Sequence, residues 1–99
     1  MRFEWDEAKA SKNYEKHRIR FETAITAFDD PFALIAPDAK HSTPLEEREW
    51  LIGEADGDLV IVVIFTRRHQ RKIVRLISAR PASRKERRTY ENYKIFPIS

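Results

Sequence analysis

The sequence predicts an α+β fold in which helices near both ends pack on a twisted antiparallel sheet of about four strands. Three observations point there. Phe21, Ala24, Ile25 and Phe28 recur at helical spacing. Short apolar or alternating runs then follow one another from Phe32 to Arg80. Ser83 and Glu86 stand at the spacing of a capping box that opens a last helix. Successive strands joined by short turns favour antiparallel pairing.

In chain order, Phe3 to Trp5 suits a short edge strand, and Asp6 suits the N-cap of a helix to about Lys16. A second helix is expected over Glu22 to Phe28, ended by Asp29-Asp30-Pro31. Strands are expected over Phe32–Ala36 and Glu47–Glu54, with Ala55-Asp56-Gly57-Asp58 as a hairpin turn. Leu59 to Thr66 is apolar on both faces and should be central. Arg67–Arg71 reads as the next turn, Lys72–Arg80 as the last strand, and the C-terminal helix should run to about Tyr93.

The 99 residues suit one domain spanning 1–99. Charged residues make up 35%, against roughly 25% in an average domain, so the surface should be strongly ionic. The chain has no cysteine, which excludes disulfides and thiolate metal sites. Its two glycines cannot build a GxGxxG or Walker loop, and no cofactor is expected. The three histidines show no HxxxH spacing and no acidic cluster, so no metal is expected either. Met1 to Asp6 lacks the apolar core of a signal peptide, and no apolar run nears a membrane span; a cytoplasmic location is expected.

Charge is sorted along the chain. Residues 67–94 carry eleven Lys/Arg against two Glu, a net +9, and residues 1–66 carry eight against fourteen Asp/Glu, a net −6. The basic third should attract a polyanion, RNA above all, although a merely solvated basic helix would share this composition.

RNA can be cleaved without a metal if a base takes the 2′-OH proton, an acid protonates the leaving 5′-oxygen, and fixed cations stabilise the transition state. Lys9, Asn13, Lys16 and His17 share one face of the first helix. Such a polar stripe suits a functional cleft or a hydrogen-bonded junction. By strand period, Lys72, Val74, Leu76, Ser78 and Arg80 point one way. A hairpin about Arg67–Arg71 would put Arg67 near Lys72 and Arg80 at the far end, beside the last helix. Arg67 and Arg80 are candidate phosphate cations, His17 is the near-neutral titrator, and Lys9, Glu47 and Tyr90 are further proton carriers. Each has a plainer role open to it: His17 as a helix C-cap, Tyr90 as packing, Ser78 as a structural hydroxyl. Ser78, Arg48, Lys72, Arg84 and Tyr90 are expected on the substrate side. The functional reading requires the late cations and the Lys–Asn–His stripe to meet in a single pocket. A non-catalytic RNA-binding module is the alternative.

The ordered set Phe3-x-Trp5-Asp6-x-x-Lys9, Asn13, Lys16-His17, Phe21, Ala24, Phe28, Glu47-Arg48, Gly53, Thr66-Arg67, Ile77-Ser78-Ala79-Arg80-x-Ala82, Glu86-Arg87 and Tyr90 resembles the BrnT family of toxins. The resemblance spans nearly the whole chain, and Ser-Ala-Arg-x-Ala is its sharpest piece. It departs at Arg18, where the family commonly has Gly after Lys-His. The resemblance implies a RelE-like fold and an endoribonuclease toxin of a type II toxin–antitoxin module that blocks translation and arrests growth. It also implies neutralisation by a small ribbon-helix-helix antitoxin, in a heterotetramer that represses its own operator DNA. Arg67, Arg80, Lys9, His17 and Glu47 occupy the matching motif positions. An interaction subunit whose basic face only docks the antitoxin is the third alternative.

Overall fold

A computed structural model describes residues 1–95, and among them the chain forms five strands and three α-helices. Strand β1 (Arg2–Glu4) leads into helix α1 (Glu7–His17). The Asp6 carboxylate accepts from the Ala8 and Lys9 amides at 2.8 and 3.1 Å, satisfying two donors that a helix start leaves unpaired. Helix α1 stops at Arg18, whose φ of 60° is left-handed. Glycine adopts that conformation without cost, which accounts for the residue type that the resembled family commonly carries there. Arg18 holds it with its guanidinium 5.5 Å from the centre of the Tyr14 ring.

Where a single helix is expected over 22–28, the chain makes one α-helical turn, α2 (Phe21–Ala24), that tightens into a 3-10 turn over Ile25–Asp29. This turn presses on the sheet: a Cβ on Gly53 would lie 3.2 Å from the Ala27 carbonyl oxygen. The close approach leaves little room for a Cβ and favours glycine there.

The remaining elements are β2 (Leu34–Pro37), β3 (Arg48–Ala55), β4 (Leu59–Arg68), β5 (Ile73–Pro81) and α3 (Arg84–Ile95). The strand order is β1-β5-β4-β3-β2. Strands β2 to β5 pair antiparallel as expected, but β1 pairs parallel with β5. The sheet is therefore five-stranded and mixed, which corrects the expectation of about four antiparallel strands. Long-range aromatic contacts fix β1 there. Phe3 meets Phe28 edge-on at 5.0 Å, Phe28 meets Phe65 at 5.1 Å, and Trp5 meets Phe21 at 5.8 Å.

The two faces of the sheet bury separate cores. On one face Ile19, Phe21, Ala24 and Ala27 pack on Leu51, Ile61, Val63, Phe65, Val74 and Leu76. On the other, Tyr90 of α3 packs on Ile52, Val60 and Val62, flanked by Trp50 and Ile64. Tyr90 is 1% exposed, and its hydroxyl donates to Asp30. Burial, then that bond, pushes the phenol upward from its ordinary pKa. Burial opposes ionisation of Asp30, yet the bonds from Tyr90 and from the Glu54 and Phe32 amides hold its carboxyl below the usual range. Tyr90 is thus a packing residue, which corrects its placement on the substrate side.

A β-bulge decides where the late cations go. Phe65 pairs with Leu76 but Ile64 pairs with Ser78, so Ile77 is an extra residue in β5. The inserted residue inverts the alternation. Val74 and Leu76 face the helical core, and Ser78 and Arg80 face the α3 side, opposite Ile64 and Val62. The expected common direction of Val74, Leu76, Ser78 and Arg80 is corrected accordingly. Lys72 precedes β5 and lies exposed in the turn, so it is not a strand residue.

Beyond Glu4, β1 no longer covers the edge of β5, and Asn13 takes over. Its carboxamide donates to the Ala79 carbonyl at 2.9 Å, accepts from the Ala79 amide at 3.0 Å and donates to the Ile19 carbonyl at 3.1 Å. Asn13→Ala strands three buried backbone groups. We expect a loss of about 3 kcal/mol, seen as a Tm lower by roughly 15 °C in thermal unfolding. Arg18→Gly should instead raise stability, by up to about 1 kcal/mol, because it removes the left-handed penalty.

Candidate active site

Three concavities receive the candidate residues. The first is a shelf of about 250 Å³ at the edge of β5, where α1 replaces β1. Lys9, Lys12, Lys16 and His17 line it from α1, with Ser78 across from them and the bulge residue Ile77 as floor. The i, i+3, i+4 spacing of α1 puts these side chains on one side. No carboxylate lines the shelf. His17 is half-buried, and its pKa is lowered by burial and then by the nearby charges of Lys16 and Arg80. Both effects favour its neutral form.

The second is a groove of about 510 Å³ on the α3 side of the sheet. Its floor is apolar, made by Trp50, Ile52, Val62 and Ile64, and its rim carries Arg80, Lys85, Ser83, Asp38 and His41. An apolar floor with a few convergent polar groups is the usual form of a binding site. Arg80 lines the groove, where it pairs with Val62 on the floor, and it follows the shelf residue Ser78 by two positions on the same face of β5. Glu86 fixes it with two bonds of 2.7 and 2.8 Å. Glu86 also accepts from the Ser83 amide at 2.8 Å, while the Ser83 hydroxyl accepts from the Glu86 amide at 3.1 Å. The expected capping box is thus formed, and the same carboxylate that starts α3 orients Arg80. Hydrogen bonding to Glu86 holds the guanidinium above its ordinary pKa despite partial burial.

The third is a cleft at the far end of β4, lined by Glu46, Glu47, Glu49, Arg67, Arg68 and Arg71. Its arginines are all paired with glutamates. Glu49 takes Arg67 at 3.1 Å and Arg71 at 3.3 Å, and Glu46 takes Arg48 at 2.9 Å and Arg68 at 3.5 Å.

The expectation of one pocket for all these groups is therefore corrected. Arg67 pairs with Val74 on the helical face, whereas Arg80 pairs with Val62 on the other. The five-residue offset along β4 separates them by about 16 Å. Lys9, His17 and Ser78 come together in the shelf, while Arg80, two residues further along β5, lines the groove. Arg67, Glu47 and Arg48 gather at the opposite end, and Arg84 is exposed at the start of α3. Sequence inspection overlooked Asp38 and His41, whose three-residue spacing was the available sign. Among the described residues no group of three or more His, Asp or Glu side chains could hold a metal ion, and no helix is long and apolar enough to cross a membrane.

A family described as "Ribonuclease toxin, BrnT, of type II toxin-antitoxin system" matches residues 5–86. The crystal structure of the Brucella abortus ribonuclease toxin BrnT is similar, with a TM-score of 0.61 and 29% identity, over 85% of this chain and 99% of that one. No curated protein matches in sequence.

Hydrogen bonds from Arg80 draw the Glu86 pKa from 4.5 down to about 2, outweighing burial, with Ser83 adding to the shift. A carboxylate depressed on folding contributes stability above pH 4.5 that is lost as the pH falls through about 2. Both side chains are partly in solvent, so screening limits this to about 1–2 kcal/mol. The stability gap between the native chain and Glu86→Gln, measured by urea unfolding, should be full at pH 7 and close by pH 2.

Proposed function

Because the chain belongs to the BrnT family of ribonuclease toxins of type II toxin–antitoxin systems, we propose that it is a metal-independent endoribonuclease whose active site is the α3-side groove, fed by the lysine shelf on α1. The observation that supports this reading is Arg80, a permanent cation fixed by Glu86 in an apolar, aromatic-floored groove, two residues along β5 from a shelf lined by lysines. Such a combination suits single-stranded RNA: lysines follow the backbone and an aromatic ring receives a base.

Lys9, Lys12 and Lys16 hold consecutive phosphates, and Ser78 and His17 contact the sugar–phosphate. Trp50 receives a splayed base on the groove floor. Arg80 stabilises the charge that builds on the scissile phosphate as the neighbouring 2′-OH attacks. Every charge this step requires comes from the chain itself. Arg67, Glu47 and Arg48 are outside the reacting centre, and the pairing of Arg67 with Glu49 and of Arg48 with Glu46 suits a structural cluster.

The antitoxin in this proposal is a small ribbon-helix-helix protein that covers the Arg80 groove and so competes with RNA for the same charges. The pair assembles as a heterotetramer on its own operator DNA. Released toxin cuts RNA in the cytoplasm, blocks translation and arrests growth.

Arg80→Ala should reduce cleavage of a mixed-sequence oligoribonucleotide by about 10²–10³-fold, with binding largely kept and EDTA without effect. Equal loss of cleavage and binding would instead make Arg80 a binding residue, and RNA binding by the native chain with no cleavage would identify a non-catalytic RNA-binding module. Replacing Lys9, Lys12 and Lys16 together by Ala should flatten the salt dependence of binding, lowering the slope by about 2 on a single strand.

A further inference from the structure

Of the groove-lining residues, Asp38 and His41 form a pair with no part in the roles given above. The His41 Nδ1 lies 2.8 Å from the Asp38 carboxylate. A carboxylate only accepts, so Nδ1–H donates, and in the neutral form of the ring the lone pair is left on Nε2. Burial is divided between the two: the Asp38 side chain is 9% exposed and the imidazole 55%. A buried carboxylate thus orients an accessible imidazole that lines the same groove as Arg80 and Trp50.

The loop that carries the pair is fixed to the sheet. The Asp38 amide donates to the Arg48 carbonyl at 2.8 Å, and the Ser42 hydroxyl donates to the Asp38 carbonyl at 2.8 Å and accepts from the Arg48 amide at 2.8 Å. The His41 amide donates to the Asp38 carbonyl at 3.2 Å, closing the turn. Both residues are therefore held before any substrate arrives. His17 lacks these features: among the described residues it has no carboxylate partner, and it stands in the shelf among lysines.

We propose that His41, oriented by Asp38, is the general base of RNA cleavage in this groove, an inference that rests on the proposed ribonuclease reading. Nε2 of His41 takes the proton of the 2′-OH. The freed oxygen forms a bond to the adjacent phosphorus as the bond from phosphorus to the 5′-oxygen breaks. Water at the open mouth of the groove protonates the leaving oxygen, and the imidazolium returns its proton to the resulting hydroxide. The products are a 2′,3′-cyclic phosphate and a 5′-hydroxyl, with no net change in protons or electrons. His41 is a catalytic residue in this scheme and Asp38 a positioning residue.

The test uses the full chain on two substrates, an end-labelled mixed-sequence oligoribonucleotide and the messenger RNA of a translating extract. His41→Ala and His41→Gln should each lower cleavage by about 100-fold or more, with oligonucleotide binding within about twofold of native. Gln keeps a donor for Asp38, so equal loss in both variants separates proton transfer from folding. Asp38→Asn should lower kcat with KM unchanged, and added imidazole should restore part of the His41→Ala rate. Cleavage near the native rate in both His41 variants, with Arg80→Ala inactive, would overturn the role of His41 and leave the groove reading standing. A 5′-phosphate product would likewise overturn the inference. Cleavage by Arg80→Ala at the native rate, or none by the native chain on either substrate, would remove the groove reading itself.

Discussion

The carboxamide of Asn13 ties the first helix to the last strand and, through it, sets the geometry of everything functional. Three bonds to the main chain of Ala79 and Ile19 leave no part of that buried group unused. A strand edge buried without a partner would cost more than most single contacts can supply. Asn13 acts in effect as one residue of a missing strand, where β1 has ended and β5 continues. The same contact holds α1 at a fixed height beside the bulge, so that Lys9, Lys12, Lys16 and His17 stand over Ser78.

Electrostatics separates the basic regions by how fully each cation is matched. At the far end of β4, Arg67 and Arg71 pair with Glu49 and Arg68 pairs with Glu46, so ion pairing offsets the charge of all three arginines. Along α1 the lysines have no acid among the shelf-lining side chains. Arg80 lies between these extremes: Glu86 orients it without removing it from the groove. A phosphate approaching the proposed site therefore meets a fixed guanidinium with a field of lysines behind it. Such preorganisation makes a cation more effective in a transition state than a mobile one would be.

Local patterns in the chain were legible wherever neighbours in sequence decide the structure. The Asp6 cap, the Ser83–Glu86 box, the Asp56-Gly57-Asp58 turn and the central apolar strand all follow from short-range chemistry. The polar stripe on α1 was legible too, as was the separation of Arg67 from Arg80 along the last hairpin. Arg18 is a position where sequence and backbone disagree, since a left-handed turn is held by a residue with a Cβ.

By itself, the sequence determined the α+β class, the order of the elements, the sorting of charge and the resemblance to BrnT toxins, because periodicity, capping and composition are local properties. Only the tertiary structure decided the rest. The parallel pairing of β1 depends on Phe3, Trp5 and their partners tens of residues away. The bulge at Ile77 depends on the register between two strands, and it alone turned Ser78 and Arg80 away from Leu76. The joining of Asp38 and His41 with Arg80 around one groove depends on how β3, β5 and α3 pack. Such contacts form between residues far apart in the chain, where no spacing rule applies and only packing determines which side chains meet.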